Sequence, residues 1–132
     1  MGSANTPLRV LVVDDNVDTT ESLSWLLQSF GHDVRVAHSG LAAIDAARDF
    51  GPDAVLLDVG LPDIDGFEVA RRLRAAPDFE RTVLVASTGY NRDRDRDRAA
   101  EVGFDHYLVK PFDPRRFVQL LTAPRRAEAV PA

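Results

Sequence analysis

Apolar residues gather in five short runs along the chain, and the intervals between them carry a helical period. Leu8 to Val13 is a near-continuous apolar run, the pattern of a strand buried on both faces of a parallel sheet. It gives way to Leu23, Leu26, Leu27 and Phe30, which fall at i, i+3, i+4 and i+7 of a helix stopped at Gly31. Val34 and Val36 make a short alternating strand, and Ser39 is placed to cap a second helix running through Leu41, Ile44 and Ala47 to Gly51-Pro52. Ala54 to Leu57 predicts a third strand. After a Leu61-Pro62 loop, Asp65 can cap a helix with Phe67, Ala70 and Leu73 on one side. Val83 to Ala86 predicts a fourth strand, Asn91 opens a helix closed by Gly103, and His106 to Val109 predicts a fifth strand. Asp113-Pro114 reads as N-cap and first helical residue of a last helix with Phe117, Leu120 and Leu121, stopped by Pro124. Strands alternating with helices through short loops imply one α/β layer sandwich with right-handed crossovers.

Four of the apolar runs end in residues suited to handling a phosphoryl group: Asp14-Asp15, Asp58, Thr88 and Lys110. If the runs are neighbouring parallel strands, their carboxyl ends share one crevice, where open α/β sheets place ligands. Lys110 is the only lysine among 16 basic residues. Its ammonium is a compact point charge where every other side-chain cation is a planar guanidinium fork.

Composition narrows the function classes. With 132 residues, 45% of them hydrophobic, the chain suits one globular domain, read as 8–123 between a disordered leader at 1–7 and a mobile tail at 124–132. A net charge of -5 without a segregated basic stripe argues against nucleic acid. The absence of cysteine excludes disulfides and thiolate metal sites, and no apolar stretch is long enough for a membrane span, so a cytoplasmic protein is the default. The N-terminus formally fits a myristoylation pattern but lacks a polybasic companion.

Taken singly, each aspartate could be a helix cap, Thr88-Gly89 a turn, and Lys110 a snorkelling lysine at a strand end. As a set they read differently. Asp58 ends its strand with nothing helical until Gly66, so capping does not account for it. Three carboxylates brought together repel unless one protonates or a cation intervenes, and a few hard oxygen ligands suit Mg²⁺. Lys110 precedes Pro111, a bond that can adopt the cis form.

The acidic pair, the DVGLPDIDG segment from Asp58 to Gly66, the STG from Ser87 to Gly89, and Lys110-Pro111-Phe112 with Tyr107 three residues earlier together resemble response-regulator receiver domains of two-component signalling, over about Leu8 to Leu121. The resemblance implies a CheY-like, flavodoxin-like fold: a doubly wound parallel sheet of five strands in the order 2-1-3-4-5 with five helices. It implies Asp58 as the phosphoacceptor, Mg²⁺ held by Asp14, Asp15, Asp58 and the Gly60 carbonyl, and Lys110 and Thr88 on the phosphoryl oxygens. Thr88 and Tyr107 would form the switch, with Gly60 and Tyr90 modulating phosphoryl lifetime. The implied partners are a histidine kinase or histidine phosphotransfer protein and a downstream protein target, with the chain a monomer or a weak phosphorylation-dependent dimer. Activity would be limited to self-catalysed phosphotransfer and autodephosphorylation.

Arg92 to Arg98, RDRDRDR, is unusual, because its i,i+3 attractions and i,i+4 repulsions nearly cancel. With no large apolar residue between Tyr90 and Val102, this helix is expected to be the most labile in the domain. Two other functions compete with phosphoacceptance. A phosphorylation-independent binding module would be expected to have lost an acceptor, lysine or acidic residue, and none is missing. A small-molecule phosphohydrolase would need a second acid-base group, and His32, His38 and His106 are scattered without a carboxylate arrangement that would make one a base.

Overall fold

The computed structural model describes residues 7–89 and 93–121, with only the backbone at 93–95. Strands β1 (Arg9–Val13), β2 (Asp33–Ala37), β3 (Ala54–Asp58), β4 (Val83–Thr88) and β5 (His106–Val109) alternate with helices α1 (Val17–Ser29), α2 (Gly40–Phe50), α3 (Gly66–Ala75), α4 (Asp93–Val102) and α5 (Pro114–Leu120). A short 3-10 turn at Pro77–Phe79 precedes β4. The strands form one parallel sheet in the order β2-β1-β3-β4-β5, as expected from sequence. The predicted leader lies outside the described residues except for Pro7, and so do the tail, Tyr90, Asn91, Arg92 and Pro124.

Alternation along each strand sends side chains to opposite faces and builds two apolar layers. Val10, Val12, Ala54 and Leu56 meet Leu23 and Leu27 of α1 and Phe117 of α5. Leu11, Val13, Val55 and Leu57 face the other way, onto Ala43 and Ile44 of α2, Phe67 and Val69 of α3, and Ala99 of α4. Burial of each large side chain contributes about 1.5–3 kcal/mol.

The predicted caps form as hydrogen bonds. Ser39, Asp65 and Asp113 accept from the backbone N–H groups of Ala42, Glu68 and Arg115. Two apolar expectations are corrected. Phe30 is exposed because α1 ends at Ser29 and the chain turns at Gly31, with φ of 91°, so the ring no longer follows the helical stripe. Leu41 is exposed because the buried stripe of α2 runs through Gly40, Ala43, Ile44, Ala47 and Phe50, and Leu41 sits one residue around the helix from its start.

Gly66 fixes where the β3–α3 loop returns to the sheet. A Cβ there would lie 2.6 Å from both the Asp58 carbonyl oxygen and the Val59 Cα, so only glycine allows this approach.

Candidate functional site

The carboxyl ends of β1, β3, β4 and β5 converge, as the parallel register demands. Asp58 pairs in register with Ser87, and Thr88 with Val109, so the ends of β3, β4 and β5 lie side by side. One oxygen from each of Asp14, Asp15 and Asp58 can be chosen so that all three lie within 4.8 Å of one another. Asp14 and Asp58 are buried, whereas Asp15 is exposed.

Lys110 enters this acidic pocket from the end of β5, and its peptide bond to the following Pro111 is cis. Its Nζ donates to Asp14 Oδ2 at 2.8 Å and stands 3.3 Å from Asp58 Oδ2. Burial works against its charge, but the hydrogen bond to Asp14 and the Asp58 and Asp14 charges outweigh it, holding the pKa above the ordinary lysine value. The ammonium thus offsets the repulsion between the two buried carboxylates.

The remaining oxygens are oriented by the backbone. The Asn16 N–H donates to Asp14 Oδ1 at 2.9 Å, and the Gly60 N–H to Asp58 Oδ1 at 3.0 Å. Asn16, not either aspartate, caps α1, through Oδ1 to the Thr19 N–H at 3.1 Å. Capping therefore does not explain the acidic pair. Asn16 was not singled out from sequence, although an asparagine just before a helix is an ordinary cap signal.

Asp63 was missed as well. It accepts from the Gly40 and Leu41 N–H groups at 2.7 and 2.9 Å, tying the loop after Asp58 to the start of α2. Those backbone bonds lower its pKa to about 2.

Thr88 is buried at the end of β4, and its carbonyl accepts the Lys110 N–H at 2.7 Å. Tyr107 is half-buried on β5, and the Arg96 guanidinium carbon lies 5.2 Å from its ring centroid. The predicted modulating residue Tyr90 lies outside the described residues. Beside the pocket, a hollow of about 420 Å³ runs between α1 and the β5–α5 connection, with Asp14, Thr19, Ser22, Lys110 and Phe112 in its lining.

The donor set fits a hard divalent cation: carboxylate oxygens at ligand spacing, with a partly exposed approach at Asp15. Asp58, like Asp14, has the Lys110 ammonium and a backbone N–H both close to its oxygens. That arrangement suits a nucleophilic carboxylate whose product carries more negative charge.

Residues 10–122 match the family model described as the response regulator receiver domain. The transcriptional regulatory protein CreB of Escherichia coli is 40% identical over 106 residues, covering 80% of this chain and 45% of CreB, so the chain spans less than half of that relative's length. Chemotaxis response regulator CheY4 of Vibrio cholerae superposes with a TM-score of 0.82 at 28% identity, covering 88% of this chain and 99% of CheY4. The receiver domain of the Pseudomonas aeruginosa sensor histidine kinase PA1611, solved with a magnesium ion in its active-site cleft, gives a TM-score of 0.78 at 29% identity, covering 88% of this chain and 95% of that domain.

Proposed function

Because this chain belongs to the response-regulator receiver family, we propose that it acts as a phosphoacceptor, taking a phosphoryl group from phosphohistidine onto Asp58 and passing the signal to a protein partner in a phosphorelay. The observation that carries the assignment is the placing of Asp58: buried, 3.3 Å from the Lys110 ammonium, and within ligand distance of Asp14 and Asp15.

In the proposed reaction an Asp58 carboxylate oxygen attacks phosphorus. A P–O bond forms, the P–N bond to the donor imidazole breaks, and its electron pair stays on that nitrogen, giving an acyl phosphate and a free histidine. Asp14, Asp15, Asp58 and the Gly60 carbonyl would hold Mg²⁺, which when bound neutralises charge on the transferred group and orients it. Lys110 exchanges its contact with the Asp58 carboxylate for a phosphoryl oxygen, and the Thr88 hydroxyl takes another. Hydrolysis of the acyl phosphate by water restores Asp58. Self-catalysed transfer and autodephosphorylation are the whole of the proposed chemistry.

The Thr88 movement and repacking of Tyr107 together switch the face built from α4, β5 and α5. Moving a two-state face from about 1% to 99% active takes about 5.5 kcal/mol, whereas one charge-assisted hydrogen bond contributes about 1.5–3 kcal/mol. Either Lys110 and repacking around Tyr107 share the coupling, or the switch is incomplete. The partners are a histidine kinase or histidine phosphotransfer protein upstream and a protein target downstream, in the cytoplasm. Among the described residues no helix is long and apolar enough to cross a membrane.

Incubation with a phosphohistidine donor or an acyl phosphate and Mg²⁺, followed by intact-mass measurement, tests the assignment. Wild type gains one phosphoryl group, and Asp58→Asn or removal of the metal with EDTA abolishes the gain. Equal incorporation by wild type and Asp58→Asn would overturn it.

A further inference from the structure

Two arginines of α4, Arg96 and Arg98, reach aromatic rings on different neighbours. Arg96 lies over Tyr107 of β5 at 5.2 Å from the ring centroid. Arg98 lies over Phe67 of α3 at 4.3 Å, with Nη2 3.7 Å from Asp65, the cap of α3. Two residues apart on a helix, the side chains leave at about 200° to each other, which lets one helix hold both neighbours.

On its inner side the described part of α4 offers Ala99, fully buried, and Val102, partly buried against the core. Small residues there leave the position of the helix to its guanidinium contacts. Tyr107 is half-buried, with its ring accessible to a long side chain reaching over from α4.

We propose that Arg96 is a positioning residue for Tyr107: its guanidinium holds the ring in the unphosphorylated arrangement and so sets the threshold at which the α4–β5–α5 face switches. The proposal rests on the receiver function given above, which supplies the second position of the ring. A cation–π contact at an exposed site biases a two-state equilibrium by about two- to five-fold. That is small beside the whole switch, as suits a residue that trims a threshold without creating the switch. Arg98 anchors α4 independently, so loss of Arg96 leaves the helix attached to α3.

The test uses the full chain labelled with fluorotyrosine and read by fluorine NMR. The chain has two tyrosines, and the resonance lost in Tyr107→Phe identifies the reporter. Wild type, Arg96→Ala, Arg96→Lys and Arg98→Ala are compared without donor and with saturating acetyl phosphate and Mg²⁺, with phosphoryl content measured by intact mass on the same samples.

Without donor, the Tyr107 resonance of Arg96→Ala moves toward the phosphorylated wild-type position, corresponding to a two- to five-fold change in the population ratio. Arg96→Lys, which keeps a cation, restores most of the wild-type position, and Arg98→Ala leaves it unmoved. Coincident resonances for wild type and Arg96→Ala overturn the proposal. An equal shift in Arg98→Ala also overturns it, because general loosening of α4 then accounts for the movement. Absence of phosphoryl gain in every sample would overturn the acceptor assignment instead, and the donor-free comparison of wild type with Arg96→Ala would still decide whether Arg96 positions the ring.

Discussion

Arg74 and Asp105, 31 residues apart, form a largely buried ion pair with Nη2 to Oδ2 at 2.8 Å. The same guanidinium donates to the carbonyls of Gly103, Phe79 and Thr82, and the same Asp105 oxygen accepts the Leu84 N–H. One side chain thus joins the end of α3, the start of β4 and the turn before β5. Removing it leaves the buried Asp105 carboxylate without the Arg74 cation and takes the donor from each carbonyl it serves. Arg74→Ala is expected to lower stability by about 3–5 kcal/mol in urea unfolding. Arg74→Lys recovers only part of this, because an ammonium cannot span the same fork.

Gly66→Ala pushes a methyl group into the Asp58 and Val59 main chain at 2.6 Å. Overpacking of this kind costs about 1–3 kcal/mol, and relief of the clash displaces the proposed acceptor. Gly60→Ala is the control, since a Cβ there meets only Asp58 Oδ1, at an ordinary 3.7 Å. Phosphoryl incorporation should slow in Gly66→Ala by more than in Gly60→Ala. Equal rates would count against a backbone-defined acceptor.

Under the proposed function, the open space at Gly60 would bear on phosphoryl lifetime. With no side chain there to guide a hydrolytic water, the acyl phosphate on Asp58 is expected to persist. Gly60→Asn combined with Tyr90→Glu introduces polar groups two residues after Asp58 and two after Thr88 in the sequence, and is expected to shorten the lifetime several-fold. Loss of the phosphoryl mass over time measures it, and identical decay would refute the role of these positions.

Stability should fall as the medium becomes acidic below neutrality. Burial lowers the His32 pKa, and the neutral ring's Nδ1 accepts the Leu8 N–H at 3.0 Å. Burial lowers the His106 pKa too, against an opposing contribution from Asp105. Both folded values lie below the unfolded 6.5, so just below that pH the unfolded chain binds more protons. The stabilisation is complete above 6.5 and is lost as pH falls. The urea midpoint is expected to drop between about pH 7.5 and about pH 5.5. Replacing both histidines with glutamine should flatten that dependence.

Amide exchange should separate α4 from α1. Leu23 and Leu27 lock α1 against the sheet, whereas α4 packs through Ala99 and holds its neighbours by guanidinium contacts at the surface. Faster exchange across Arg96 to Ala100 than across Leu23 to Leu27 is the expected result. Equal protection would sink it.

Features set by neighbouring residues were legible in the chain. β1 and β3 read as continuous apolar runs because helices cover both faces of the sheet, and Ser39, Asp65 and Asp113 cap the helices they immediately precede. The acidic residues and Lys110 could be grouped because each closes an apolar run, and parallel strands align those ends. Contacts that span the fold left no local signal. Asp63 finds its partners at Gly40 and Leu41, and Arg74 finds Asp105 beyond β4 and α4 in the chain. The expected weakness of α4 rested on its lack of large apolar residues. The structure adds what an apolar count does not see, that arginine stems and guanidinium planes can lie against rings.

The parallel sheet has two poles with separate duties. The proposed chemistry occupies one, where strands finish, while the Arg74 hub braces the other, where β4 and β5 begin. Mutational drift at the bracing pole can therefore adjust how long the molecule lasts while leaving the reactive pole's arrangement intact, so durability and signalling are separately adjustable traits of one small fold.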